Sequence, residues 1–232
     1  MKKLGIICAV DVEAAPYKNA LSDAVTTQKA GLTFFEGKLF GIPAVVADCG
    51  IGRVNTAAAV QQMIDVFSAD TVIMSGTAGA IDKKLSIGDT VIVTQSVYHD
   101  LDIGVFGAYR PFVKDGHFSS DPDLINVFRR IKPDEISQRI SFGKIATGEV
   151  FIADDCRDEI IERFNPLCVD METAGAAHVC FLNSIPFVAI RSITDTADDS
   201  GFDTFETNVK IASQNSFEVF RAAFEYLIQE EV

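Results

Sequence analysis

Short apolar runs alternate along this chain with segments whose apolar residues recur at helical spacing. The runs predict strands because glycine, proline or polar residues bound them, and Gly41 between two of them is typical of a hairpin turn. The predicted strands are Leu4–Val10, Thr33–Leu39, Ile42–Asp48, Thr71–Met74, Thr90–Val93, Ile140–Thr147, Leu167–Asp170 and Phe187–Thr194. The predicted helices are Val54–Phe67, Asp123–Ile131, Arg157–Phe164, Met171–Leu182 and Thr207–Glu230.

Strands that alternate with helices predict a sheet of parallel strands with helices packed on both faces. The early hairpin adds antiparallel strands to that sheet. We therefore expect an α/β fold with three α/β/α layers around a central mixed, largely parallel sheet. The sequence contains no internal repeat and no linker rich in proline, glycine or serine, so residues 1–232 are expected to form a single domain.

Charge and cysteine usage exclude several classes of protein. The net charge of −13 argues against nucleic acid and anionic membranes as partners, whereas a neutral or cationic small molecule would bind more easily. The five cysteines include no C-x-x-C pair, and the three histidines share no ligand spacing, so neither a disulfide framework nor a metal site is predicted. The apolar start is too short for a signal peptide, and no apolar run approaches ~18 residues. The expected location is the cytoplasm.

Acids and glycines follow the predicted strands, and in sheets of this kind ligands bind at the carboxyl ends of the strands. Glu13 follows the first strand, Asp195 follows the last, and Asp170 and Glu172 stand two positions apart in the sequence VDMETAG. The glycines of CGIGRV and SGTAGA match neither a complete dinucleotide-binding motif nor a P-loop. These glycines indicate tight turns, and no cofactor is predicted.

Each acid taken singly has a structural explanation as well as a chemical one. Asp170 could be the N-cap of the helix that follows, and Glu172 could be a first-turn acid favoured by the helix dipole. Glu13 could begin a helix, and Asp195 could belong to a surface turn. Glu172 is also well placed to accept the hydroxyl protons of a sugar diol, so the residues alone leave these alternatives open.

Taken together, the motifs resemble those of a known family, the 5′-methylthioadenosine/S-adenosylhomocysteine nucleosidases of the purine nucleoside phosphorylase superfamily. The resemblance spans the chain and rests on GIICAVDVEA, CGIGRVNTAAA, SGTAGA, YHDLDIGVFG, GEVFIADD, VDMETAGAAHVC and RSITDTAD. It implies a nucleoside phosphorylase-like fold without a cofactor or a metal. It also implies hydrolysis of the N-glycosidic bond of these nucleosides, which releases adenine.

The resemblance assigns roles to individual residues. Glu13 is implied to activate the attacking water and Asp195 to protonate the leaving adenine at N7. Glu172 is implied to accept hydrogen bonds from the ribose hydroxyls, while the ring of Phe151 stacks on adenine and the Ile152 backbone reads the edge of the base.

The remaining implied contacts surround the same nucleoside. Met171 packs beside the sugar, Arg191 orients Glu13 or the water, and Phe202 closes over the pocket. The other implied substrate-binding residues are Val10, Ile51, Thr77, Gly79, Thr194 and Ala197. The resemblance further implies a homodimer in which Ile103 and Phe106, on a loop of the partner subunit, line the pocket for the 5′-alkylthio group.

The implied chemistry has a physical basis. Cleavage of the C–N bond develops positive charge on the ribose and leaves adenine as a poor leaving anion, so one acid must supply a proton and another must direct water. Water is favoured over phosphate because no arginine adjoins Ser75-Gly76-Thr77 and Glu13 would repel an anion. The alternatives are a hydrolase of futalosine or 5′-deoxyadenosine, a nucleoside phosphorylase and a non-catalytic nucleoside-binding protein.

Overall fold

The computed structural model describes residues 2–109, 116–152, 157–196 and 202–230. Its strands are β1 (Leu4–Cys8), β2 (Leu21–Lys29), β3 (Leu32–Leu39), β4 (Ile42–Asp48), β5 (Thr71–Ala80), β6 (Thr90–Tyr98), β7 (His117–Ser119), β8 (Ile140–Thr147), β9 (Cys168–Asp170) and β10 (Phe187–Asp195). Its helices are α1 (Asp11–Ala20), α2 (Arg53–Asp65), α3 (Ile103–Tyr109), α4 (Pro122–Phe128), α5 (Arg157–Phe164), α6 (Thr173–Asn183) and α7 (Phe202–Glu230).

All ten described strands belong to one mixed sheet, as the pattern of elements predicted. Strand β1 is parallel to both β4 and β5, and β5 is parallel to β10. Strands β2, β3 and β4 form an antiparallel meander at one edge. At the other end β10 pairs with β6, β6 with β8, and β8 with β9, which returns to β5. The sheet therefore closes on itself around β5, which the sequence did not predict.

Helices cover both faces of the sheet, which confirms the three-layer arrangement. In β1 the side chains of Leu4, Ile6 and Cys8 face a cluster that includes residues of α1, α4 and α7, whereas Ile7 faces the cluster formed with α2 and α6. This alternation is the two-residue period of a strand that is buried on both faces. Within the residues that the structure describes, no helix is long and apolar enough to cross a membrane.

The boundaries of several elements differ from those predicted. Strand β5 continues past its predicted end at Met74, because the glycines of SGTAGA lie inside the strand rather than in a turn. Strand β6 also continues past its predicted end at Val93. Strand β2 was not predicted: most of its residues are exposed and polar, and its pairing with β3 is what makes it a strand. The predicted loop at Ile103 is instead helix α3.

Candidate active site

A pocket opens at the carboxyl ends of β1, β5, β9 and β10, where the sequence placed it. Eleven predicted site residues line it: Val10, Glu13, Ile51, Thr77, Gly79, Phe151, Ile152, Met171, Glu172, Thr194 and Asp195. Six lining residues were not predicted as substrate contacts: Ala9, Ala78, Val150, Val169, Asp170 and Phe205. Most of these six adjoin predicted residues in the chain and could have been inferred from that position.

Glu13 is buried and is held by four donors. Its Oε2 accepts hydrogen bonds from the backbone N–H groups of Ala9 (2.9 Å) and Val10 (3.3 Å). Its Oε1 accepts from the backbone N–H of Thr77 and from the Thr77 hydroxyl, both at 2.8 Å. Glu13 is the third residue of α1, so its bond to Val10 is half of a capping box, which fixes the carboxylate at the end of β1. The arrangement suits a negatively charged carboxylate aimed into the pocket.

Asp195 is equally buried but is held by fewer donors. Its Oδ1 accepts a hydrogen bond from the Thr194 hydroxyl at 2.8 Å, and no backbone N–H donor to its side chain is found among the described residues. Burial raises the pKa of Asp195, although the Thr194 bond and the positive charge of Arg157 act in the opposite direction. A carboxyl group with a raised pKa is suited to carry a proton to a leaving group.

The two glycines of SGTAGA are required because carboxylates lie against them. A Cβ atom at Gly76 would lie 2.6 Å from both Glu13 Oε1 and Arg191 Nη1. A Cβ atom at Gly79 would lie 2.8 Å from Asp195 Oδ2. Thr77 binds Glu13, and Gly79 faces Asp195 two residues further along β5, so both acids lie against the same strand.

Glu172 is the N-cap residue of α6 and points toward the start of α2. Its Oε1 accepts the backbone N–H of Gly52 at 2.9 Å, and its Oε2 accepts that of Met171 at 3.3 Å. Burial, followed by the neighbouring Asp170 carboxylate, raises the pKa of Glu172 to about 7. Glu172 therefore titrates near neutral pH in the protein as described, without ligand.

Asp170 is not the N-cap of α6, because α6 begins at Thr173 and its N-cap is Glu172. The Asp170 carboxylate instead binds the fully buried Arg191, with Oδ2 2.6 Å from Nη2, and accepts hydrogen bonds from Thr147 (2.6 Å) and from the Thr173 backbone N–H (2.9 Å). The sequence interpretation recognised the helix start but missed this buried ion pair, whose partners stand 21 residues apart.

Arg191 lies beneath the pocket among three carboxylates. Burial opposes its charge, but Asp170, Glu13 and Glu172 more than offset this, so its pKa lies above the ordinary value. Its Nε donates to the Thr173 hydroxyl at 3.0 Å. Its Nη1, beside Glu13, has no hydrogen-bond partner among the described residues. Among the three carboxylates, Arg191 thus forms a hydrogen bond with Asp170, lies 3.9 Å from Glu172 Oε2, and lies near Glu13 without a hydrogen bond to it.

Four of the predicted substrate contacts fall wholly or partly outside the described residues. Ala197 lies outside the described residues, and so do the side chains of Ile103, Phe106 and Phe202. The backbone of Phe202 begins α7, and Phe205, one turn further along this helix, lines the pocket. The backbones of Ile103 and Phe106 belong to α3.

The pocket thus combines Glu13, a carboxylate held by four donors, with Asp195 and Glu172, two carboxyl groups whose pKa values are raised by burial. The family model of the phosphorylase superfamily matches residues 3–225. The chain belongs to the phosphorylase superfamily. The mixed sheet and the pocket at its strand ends are thus those of a superfamily member, as the motifs predicted.

Individual relatives within the superfamily are similar over nearly the whole chain. A 5′-methylthioadenosine/S-adenosylhomocysteine nucleosidase of Chromohalobacter salexigens is 35% identical over 220 residues, which are 93% of this chain and 94% of the relative. The crystal structure of such a nucleosidase from Colwellia psychrerythraea, in complex with adenine, has a TM-score of 0.87 and 32% identity over 96% of this chain and 94% of that chain. Futalosine hydrolase of Helicobacter pylori has a TM-score of 0.89 and 25% identity over 97% and 98%.

Proposed function

We propose that this protein hydrolyses the N-glycosidic bond of 5′-methylthioadenosine and S-adenosylhomocysteine. The products are adenine and 5-methylthioribose or S-ribosylhomocysteine. The names of the curated relatives support this reading. The observation that carries it is the pairing of Glu13 and Asp195, two buried carboxyl groups with unlike surroundings on one pocket.

In the proposed reaction Glu13 positions and deprotonates the attacking water. Four donors hold its carboxylate in place, and Arg191, whose Nη1 lies beside Gly76 and has no partner among the described residues, is proposed to orient Glu13 or the same water. The proposed roles follow the logic of inverting glycosidases, in which one acid protonates the leaving group while a base activates a water molecule on the opposite face of the sugar. A positioned base of this kind contributes ~10²–10⁴-fold to the rate.

Asp195 supplies the proton that adenine needs at N7 in order to leave. Its raised pKa, caused by burial, supports this role. Glu172 in its ionised form holds the ribose hydroxyls and stabilises the positive charge that develops on the sugar. Phe151 stacks on the base, the Ile152 backbone reads its edge, and Met171 packs beside the ribose, since all three line the same pocket.

Water is the proposed nucleophile rather than phosphate. The expectation that no arginine adjoins Ser75-Gly76-Thr77 was wrong, because Arg191 Nη1 lies against Gly76. Its guanidinium is however paired with Asp170, and Glu13, Asp170 and Glu172 all line the pocket. A phosphate ion would therefore meet more negative than positive charge at this end of the pocket.

The test is incubation with methylthioadenosine, with and without millimolar phosphate, followed by chromatography of the products. We expect free adenine and 5-methylthioribose at a rate that phosphate does not raise. A ribose 1-phosphate product would assign the protein to the phosphorylases instead. Glu13→Gln is expected to lose ~10²-fold or more of this activity while adenine still binds, because only the base is lost.

The substrate panel includes futalosine and 5′-deoxyadenosine, because a futalosine hydrolase has the same fold and a similar TM-score. These nucleosides share the glycosidic bond and differ at the 5′ position or in the base. Equal or faster hydrolysis of futalosine would replace methylthioadenosine as the proposed substrate without changing the roles of the acids.

We also propose that the protein is a homodimer in which Ile103 and Phe106 of α3 complete the 5′ pocket of the other subunit. Apolar side chains are exposed in the single chain, among them Ile51 of the pocket, Val54 of α2 and Val105 of α3. Contact with a second copy would bury them. Light scattering is expected to give the mass of a dimer, and activity should fall on dilution below the dissociation constant; an active monomer would contradict the proposal.

A further inference from the structure

We propose that Arg53 is a positioning residue, which fixes the base-binding segment Glu149–Ile152 against the ribose-binding side of the pocket. The inference rests on the proposed function, because it takes Phe151 and Ile152 as the residues that hold adenine. Arg53 is the first residue of α2 and is not itself among the residues that line the pocket.

The Arg53 side chain joins two separate segments of the chain. Its Nε lies 2.7 Å from Glu149 Oε1, and its backbone N–H donates to the same oxygen at 3.2 Å. Its Nη1 and Nη2 donate to Asp100 Oδ1 and Oδ2 at 2.7 and 2.9 Å, a bidentate pair. The backbone N–H of Glu149 in turn donates to Asp100 Oδ2 at 3.0 Å, so the three residues form a closed ring of hydrogen bonds.

The ring is held on its other sides by packing. The guanidinium carbon of Arg53 lies 5.0 Å from the centroid of the Tyr98 ring, a cation–π contact. A Cβ atom at Gly175 of α6 would lie 3.2 Å from Arg53 Cα and carbonyl O, so α6 approaches the Arg53 backbone closely. The backbone of Arg53, at the start of α2, can therefore shift little without displacing α6.

Gly52 connects this ring to the ribose side. Its N–H donates to Glu172 Oε1 at 2.9 Å, and a Cβ atom on its other side would lie 3.1 Å from Glu149 Oε2. The carboxylates of Glu172 and Glu149 thus both lie close to Gly52, and the positive charge of Arg53 neutralises that of Glu149. Without this positive charge, Glu149 would be repelled by Asp100 and Glu172, and the segment that holds the base would move away from the sugar.

The contacts position the segment more than they stabilise the fold. The side chains of Arg53, Asp100 and Glu149 are 23%, 29% and 44% exposed, and ion pairs exposed to this degree contribute little to stability. Loss of Arg53 should therefore change how the base binds while the protein stays folded.

The test compares Arg53→Ala with wild type on two substrates. One is methylthioadenosine, and the other is nitrophenyl 5-methylthioriboside, which contains the same sugar but no adenine. For methylthioadenosine we expect KM to rise about tenfold and kcat to change less than about threefold, as befits lost positioning of a bound group. The kinetic constants for the nitrophenyl riboside should be unchanged. Arg53→Lys, which keeps the charge, should recover most of the loss.

Arg139→Ala is the matched control, because Arg139 also joins two segments, through Asp89 at 2.5 Å, but lies away from the pocket. It should behave as wild type on both substrates. Equal losses of Arg53→Ala on both substrates would show a general structural role and overturn the inference. Unchanged constants on both would also overturn it.

Calorimetric binding of adenine separates this inference from the proposed function. Arg53→Ala should bind adenine about tenfold more weakly than wild type, a change of ~1.4 kcal/mol. If wild type binds adenine but hydrolyses no nucleoside, the proposed function fails and the adenine comparison still decides the role of Arg53. If adenine affinity is equal in wild type and variant, or if wild type does not bind adenine, the inference is wrong.

Discussion

Removal of the Asp170 carboxylate should destabilise the protein far more than removal of an ordinary helix cap. Its side chain is 2% exposed and that of Arg191 is fully buried, so Asp170→Ala removes the carboxylate that hydrogen-bonds the buried guanidinium and leaves Glu172 Oε2, 3.9 Å away, as its remaining described ion-pair partner. Breaking a buried pair by removing one partner costs about 3–5 kcal/mol. This is a large fraction of the ~5–15 kcal/mol by which native domains are stable.

Asp121→Ala provides the control, because Asp121 is a true N-cap. Its Oδ1 accepts from the backbone N–H groups of Asp123 and Leu124 of α4, both at 3.0 Å, and it pairs with no buried cation in the described contacts. Loss of such a cap costs about 0.5–2 kcal/mol. Asp170→Ala and Asp121→Ala therefore each remove an aspartate near the start of a helix. They differ in that Asp170 also binds a buried arginine, whereas Asp121 binds backbone N–H groups.

Urea denaturation followed by circular dichroism measures the difference. With a slope of about 3 kcal/mol per molar urea, the Asp170→Ala midpoint should fall by roughly 1–1.7 M and the Asp121→Ala midpoint by less than about 0.7 M. Asp170→Asn, which keeps the shape but removes the charge, should resemble Asp170→Ala. If Asp170→Ala shifts the free energy of unfolding no more than Asp121→Ala does, the ion pair with Arg191 contributes nothing and the reasoning is wrong.

Three further predictions concern the acids of the pocket. Gly79→Ala should fold but lose more than ~10-fold in kcat, because its Cβ would lie 2.8 Å from Asp195 Oδ2 and must displace the acid; unchanged kcat would contradict the geometry. The pKa of Glu172 is raised to about 7, and the proposed active form is the ionised one, so kcat/KM should fall as the pH falls through about 7. Glu172→Gln should abolish this pH dependence, and a flat wild-type profile near pH 7 would refute the role. Asp195→Asn should regain catalytic activity on a nitrophenyl riboside, because this leaving group needs no proton. Glu172→Gln should not regain activity on the same substrate. Equal gains in both variants would show that the roles of the two acids are wrongly assigned.

The sequence predicted the fold well where the apolar pattern is strong and local. Strand β8 and helix α5 have the predicted bounds, and β4 follows β3 through the predicted turn. The pattern failed where pairing partners or packing decide. Strand β2 has few buried residues and depends on β3, and the closure of the sheet through β9 and β5 depends on contacts between distant segments.

The sequence predicted which residues line the candidate site better than it predicted how they are arranged. Glycines inside β5 were interpreted as turn residues, because a sequence does not show that the carboxylates of Glu13 and Asp195 approach the strand there. The exposed ring of Arg53, Asp100 and Glu149 was also missed. Its members stand in three different motifs, and each charge alone is typical of a solvated surface.

The two acids of VDMETAG show why spacing alone could not separate structure from chemistry. Both Asp170 and Glu172 are acceptors at one strand-to-helix corner, and a helix start would accommodate either. Four donors within the protein hold the Asp170 carboxylate: the Thr147 hydroxyl, the Thr173 backbone N–H and hydroxyl, and the guanidinium of Arg191. Glu172 accepts only two backbone N–H groups in the described contacts and lines the pocket, so it keeps acceptor capacity for a ligand. At this corner the remaining acceptor capacity of each carboxylate, rather than its position in the motif, therefore indicates which of the two acids can bind the sugar.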